Sequence, residues 1–172
     1  MKRTILLSTL IIIISSCVST RSITDYSSNK FYESTLIVIP YESGVTKRFV
    51  NKLKIKLEEQ FETSKTRIEF ILFEKSSDNL VLNQEKLLND RISIALSRDK
   101  KDLILYLYPT KLYYTNGQLQ TIYYNATGID SNNKNEVWKA EFKIYGMFGP
   151  SMFAGKCAQM IVEKLKLDKI IE

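Results

Sequence analysis

The chain has 172 residues, no histidine, two cysteines and a formal net charge of +6. Without histidine, Ser-His-Asp and Cys-His nucleophiles, HExxH metal sites and imidazole acid–base steps are excluded. Two cysteines supply neither a four-cysteine zinc site nor a disulfide framework. At 44% apolar and 26% charged residues, the composition is that of one globular domain.

The amino terminus reads as an address. Lys2 and Arg3 form a positive start, and an apolar run from Ile5 to Ile14 follows, broken only by Ser8 and Thr9. That run has the length of a secretory h-region and is shorter than the roughly 20 residues that span a bilayer. It ends in Ile14-Ser15-Ser16-Cys17. These four residues resemble the lipobox of bacterial lipoproteins. The resemblance implies cleavage after Ser16, a diacylglyceryl thioether on Cys17 and, as a rule, an acylated new amino group. The competing readings are an ordinary signal peptide with a chance cysteine and an uncleaved hydrophobic anchor. Two or three acyl chains hold a protein to a membrane where one does not. Val18 stands where enterobacterial sorting places Asp for the inner membrane, so the resemblance favours an outer-membrane anchor facing the periplasm. The loss of Lys2 and Arg3 lowers the charge by two, and the remaining excess is too small to imply nucleic acid.

The sequence divides into a signal peptide (1–16), a lipidated cysteine with a flexible tether (17–34), and a single domain (35–172). The tether is rich in Ser and Thr and would reach roughly 20–25 Å as a coil. Phe31 and Tyr32 at its end are candidates to pack on the domain. Thr35–Ile39 reads as a buried strand closed by Pro40. Ser43 is placed to cap a helix of about 44–64, whose Val45, Phe49, Val50, Leu53, Leu57 and Phe61 share one face while Ile55 points outward. Its lysines read as an anionic-lipid contact or, more simply, as a solvated face with ion pairs. Residues 66–74 form a strand, and Asn83 is a cap for a second helix over 84–98. Residues 102–108, apolar on both faces, form a central strand, with a bend or edge at Pro109. Asn116-Gly117 predicts a hairpin turn between arms 110–115 and 118–128. Residues 136–145 alternate wet and dry. Pro150 opens a last helix that buries Phe153, Ala154, Cys157, Ala158, Ile161, Val162 and Leu165, with Ala154 and Ala158 allowing close approach to a sheet.

The order β-α-β-α-β-β-β-β-α predicts an α/β domain: a mixed sheet of five or six strands with helices packed on it. Which sheet face the last helix takes stays open. By element order over 35–171 the domain is similar to small envelope lipoproteins of the curli-secretion and penicillin-binding-protein-activator types, and to the amino-terminal domain of the Tol-Pal translocation protein. That resemblance implies a non-catalytic role in protein assembly. The short tether counts against reaching an inner-membrane synthase from the outer membrane.

Chemistry-bearing groups are few. Cys157 falls on the apolar arc of the last helix and reads as a small core residue. Gly146, Gly149 and Gly155 match neither phosphate-loop spacing, and Met147, Phe148, Met152 and Phe153 beside them are apolar; they read as a turn or an apolar lip. Carboxylates such as Glu58, Glu59, Glu62, Asp99 and Asp102 form no recognisable acid–base pair. No catalytic, cofactor or metal residue is assigned. Tyr106, Tyr108, Tyr113 and Tyr123 are the candidates for a binding face, against the simpler reading that tyrosine favours strands. The expected function is a lipid-anchored, non-catalytic adaptor or assembly component of an envelope complex, not an enzyme, with the membrane and an envelope protein as partners. The alternative is a glycan- or peptide-binding lipoprotein using the tyrosine face. An export pore would need strands of about 9–11 residues with a lipid-facing side, and Gln118, Gln120 and the short 110–115 arm argue against it.

Overall fold

In the computed structural model, apolar runs and amphipathic segments settle into six strands and three helices. It describes residues 18–25, 30–42, 45–76, 83–116, 118–145 and 150–172. The elements are β1 (Val18–Thr24), β2 (Ser34–Glu42), α1 (Val45–Phe61), β3 (Arg67–Lys75), α2 (Gln84–Arg98), β4 (Leu103–Thr115), β5 (Gln118–Asp130), β6 (Glu136–Tyr145) and α3 (Pro150–Leu167). They form one mixed sheet in the order β1-β6-β5-β4-β2-β3. β2 pairs parallel with β3 and β4, and the other pairs are antiparallel. The α/β class and mixed six-stranded sheet follow from the alternation of strands and helices in the first half.

β2 sits between two parallel partners and is buried along nearly its whole length, which is why its sequence is a continuous apolar run. One sheet face, carrying Ile37, Leu105, Tyr124, Trp138 and Phe142, is covered by α1 and α3. The helices lie side by side, with Phe49 and Phe153 rings 5.1 Å apart. Gly155 is turned to α1, where a Cβ would stand 3.9 Å from Lys56 Cδ. α2 packs on the opposite face through Leu88, Ile92 and Ala95, against Leu36, Val38, Phe73 and Ile104. It covers the β2–β3 side and leaves β1, β6 and most of β5 bare.

Several expectations change. Residues 18–24, read as part of the tether, form edge strand β1 paired with β6 from Val18↔Ile144 to Thr24↔Trp138. Its β-branched residues suit a strand, yet it carries no apolar stripe to announce one; Ile23 is 78% exposed. Tyr32 and Ser34 are buried, so the packed domain includes them. The 102–108 and 110–115 segments are one strand of 13 residues, β4, with a register shift rather than a break between Pro109 and Lys111. Asn83 does not cap α2 with its side chain: it sits at φ 64 and no side-chain cap bond forms. Instead the Gln84 amide pairs with the Ser76 backbone, accepting at 2.9 Å and donating at 3.1 Å. Ser43, Gly117, Gly146, Met147, Phe148 and Gly149 lie outside the described residues, as do the signal peptide, Ser16 and Cys17.

Candidate functional site

Among the described residues, the part of the sheet that α2 leaves open is built by β1, β6, most of β5 and the carboxy-terminal half of β4. Alternation sends Tyr124, Phe142 and Ile144 into the helix-covered core and turns Tyr123, Lys143 and Tyr145 to the other side. On β4, Leu103, Leu105 and Leu107 are core residues, so Tyr106 and Tyr108 share the open side. Simple alternation would then turn Tyr113 inward with Leu107. The register shift prevents this. Pro109 opposes Tyr124, Lys111 opposes Tyr123, and Thr110 is the extra residue of a bulge. Beyond it Leu112 packs on the core and Tyr113 emerges beside Tyr123.

Tyr106, Tyr108, Tyr113 and Tyr123 therefore come to one face. The Tyr106 and Tyr108 rings stack at 5.6 Å with planes 8° apart, and those of Tyr113 and Tyr123 meet at 5.9 Å. Tyr106 also packs against the α2 core, and burial raises its phenol pKa. Burial does the same for Tyr108, helped by the charges of Tyr106 and Glu85. Lys75 stands 5.9 Å over the Tyr108 ring. Tyr113 is 53% exposed. Tyr124, beside Tyr123 in sequence, is fully buried, with no hydrogen-bond partner for its hydroxyl among the described residues.

Sequence reasoning did not single out Lys143, Tyr145, Arg21, Asn125 or Glu141. Lys143 lies between two rings, 4.9 Å from Tyr145 and 5.4 Å from Tyr123. Its bonds to their hydroxyls raise its pKa, so it stays charged. Arg21 from β1, Asn125 from β5 and Glu141 from β6 line a shallow groove across the strands. The wet side of β6, with Lys139, Glu141 and Lys143, was readable from its alternation; that β6 lies between β1 and β5, with this side next to Tyr123, follows only from the strand order. The face thus offers rings, amides and both signs of charge: it suits binding of a polar partner. Nothing in it resembles a nucleophile with its base.

The remaining candidates are structural. Cys157 is fully buried, and desolvation pushes its thiol far up, leaving it unreactive. Phe153 is buried while Met152 is 63% exposed. Asp99 pairs with the buried Lys101 at 2.6 Å, and Glu69 approaches the same amine at 3.2 Å. Lys54 and Lys56 pair with Glu58 and Glu59 within α1, as a solvated helix face does. Among the described residues no cluster of three or more acidic or cysteine side chains could hold a metal. Nor is any described helix long and apolar enough to cross a membrane.

No family model matches the sequence, and no curated protein sequence matches it. Solved structures do share its fold. The PelC dodecamer from Paraburkholderia phytofirmans has a TM-score of 0.56 at 12% identity, covering 90% of this chain and 98% of that one. A single-residue variant of that PelC, also a dodecamer, gives 0.54 at 11%, covering 86% and 97%. Lipoprotein GNA1162 from Neisseria meningitidis gives 0.46 at 15%, covering 78% and 98%. At such identities the likeness to PelC is one of fold, and it extends over nearly the whole of both chains.

Proposed function

We propose that this chain is a lipid-anchored protein of the bacterial cell envelope, cleaved after Ser16 and acylated on Cys17, that works without catalysis as a component of an envelope assembly. The observation that carries the reading is the outer edge of β3. This nine-residue strand pairs on one side only among the described residues, and it places half-buried Phe70, Ile71 and Leu72 at the sheet's rim. Ile94 of α2, 65% exposed, stands next to them. An edge with an apolar middle, though flanked by Arg67, Glu69, Glu74 and Lys75, can pair with another chain. PelC, whose fold is similar, is a dodecamer, which supports an assembly reading. The anchor favours the outer membrane, facing the periplasm.

The test is in-cell crosslinking followed by mass spectrometry of detergent-purified complexes, comparing the native chain, Ile94→Lys and Cys17→Ser. Stoichiometric crosslinks to a second copy or an envelope protein, weakened in Ile94→Lys and lost in Cys17→Ser, are expected. A native chain that crosslinks to no protein overturns the assembly reading.

A second reading is favoured by the groove at Arg21, Asn125 and Glu141 beside Tyr123: a glycan or peptide ligand lying across the open face. It requires binding that Tyr123→Ala weakens while Ile94→Lys leaves it intact.

A further inference from the structure

β1 enters the sheet with Val18 opposite Ile144. Ile144 lies beside Ile122, and Ile122 beside Leu112. This row crosses four strands at one end of the sheet. One row further out lie Tyr145, Thr121 and Tyr113, and then the β4–β5 turn at Asn116. Cys17 is bonded directly to Val18, so the two Cα atoms are about 3.8 Å apart. Acyl chains on Cys17 therefore leave no slack between the membrane and this end of the sheet.

The side chains there suit a lipid surface. Tyr113, Tyr114, Tyr123 and Tyr145 gather at the end with Lys111 and Lys143, and segments 110–123 and 143–145 contain no Asp or Glu. Tyr113 and Tyr114 are exposed, at 53% and 42%. Tyrosine is enriched at membrane–water interfaces because its ring is apolar and its hydroxyl wet. Lysine stems extend a charge to lipid phosphates. Met152, exposed in the first turn of α3, belongs to the helix that follows β6 at the same end.

We propose that this end of the sheet docks in the headgroup layer of the bilayer that holds the Cys17 acyl chains. The tyrosine rings lie at the interface, and Lys111 and Lys143 sit on lipid phosphates. The domain then stands upright, with the strands steep to the membrane and the β3 edge and open face turned sideways toward partners. The inference rests on Cys17 being the lipid anchor.

The test uses full-length lipidated protein in vesicles of phosphatidylethanolamine and phosphatidylglycerol carrying a headgroup-level nitroxide quencher. Tyr113→Trp adds a reporter at the docking end, and Leu167→Trp adds one at the far end of α3. The native chain, with its buried Trp138, is the baseline. The expected result is quenching of the Tyr113→Trp emission, with Leu167→Trp emission as bright as in detergent. Vesicle-bound protein with an unquenched Tyr113→Trp, or with both reporters quenched alike, overturns the docking alone. Protein that carries no lipid on Cys17 by mass and washes off the vesicles overturns the anchor reading and the docking with it.

Discussion

Asp168 ties the end of α3 to the sheet with one carboxylate. Trp138 Nε1 donates to it at 2.7 Å and Lys164 Nζ at 2.9 Å. Burial alone would raise its pKa, but these bonds and one from Ser22 outweigh burial and hold it below the usual range. Asp130 is held low against burial in the same way, by the Asn132 and Asn133 amides, Tyr32 and Lys30. A carboxyl whose folded pKa is depressed stabilises the fold above its unfolded value, about 3.9. That contribution is lost as pH falls through the folded value. Asp168→Ala leaves the Trp138 N–H buried without its acceptor, and a loss of about 1–3 kcal/mol is expected in urea unfolding at neutral pH. The gap between native and Asp168→Asn should narrow as pH drops below about 4. The opposite sign is expected at Tyr124, whose buried hydroxyl has no partner among the described residues. Tyr124→Phe should leave stability unchanged or raise it by about 1 kcal/mol in the same assay.

At the scale of elements, helices were legible because packing imposes a period that sequence displays: every described core residue expected on α1 and α3 is buried. β1 was not legible, because an edge strand is held by backbone bonds to β6 and needs no apolar face. The four tyrosines were legible as a group by residue type, but their common face was not, because Thr110 is an extra residue that puts the alternation along the sequence out of step with the sheet. Deleting Thr110 is expected to make pairing with β5 continuous from Leu103 to Tyr113 while keeping Tyr113 opposite Thr121. Ring-to-ring NMR contacts between Tyr113 and Tyr123 should persist; their loss would show that the bulge geometry, and not the register alone, brings the rings together. The lipobox-like string at 14–17 and the β3 edge illustrate the two limits. A lipobox is a local string, while an unpaired edge exists only once strand order is known.

For the molecule as a whole, the sheet order joins the first described strand to the last. Val18 and Ile144 are neighbours although more than a hundred residues separate them, and Tyr32 N–H donates to Ile170 O at 2.9 Å. Contacts between such distant segments form late, after the intervening loop has been closed. A chain ending at Asn135 lacks both β6 and α3, and so the partners of β1, of β5's outer edge and of α1. It is expected to show no cooperative thermal transition by circular dichroism, whereas the complete chain shows one. A ribosome releasing this protein from its amino terminus would therefore hold a sheet without its β1–β6 pair until the final few dozen residues emerge.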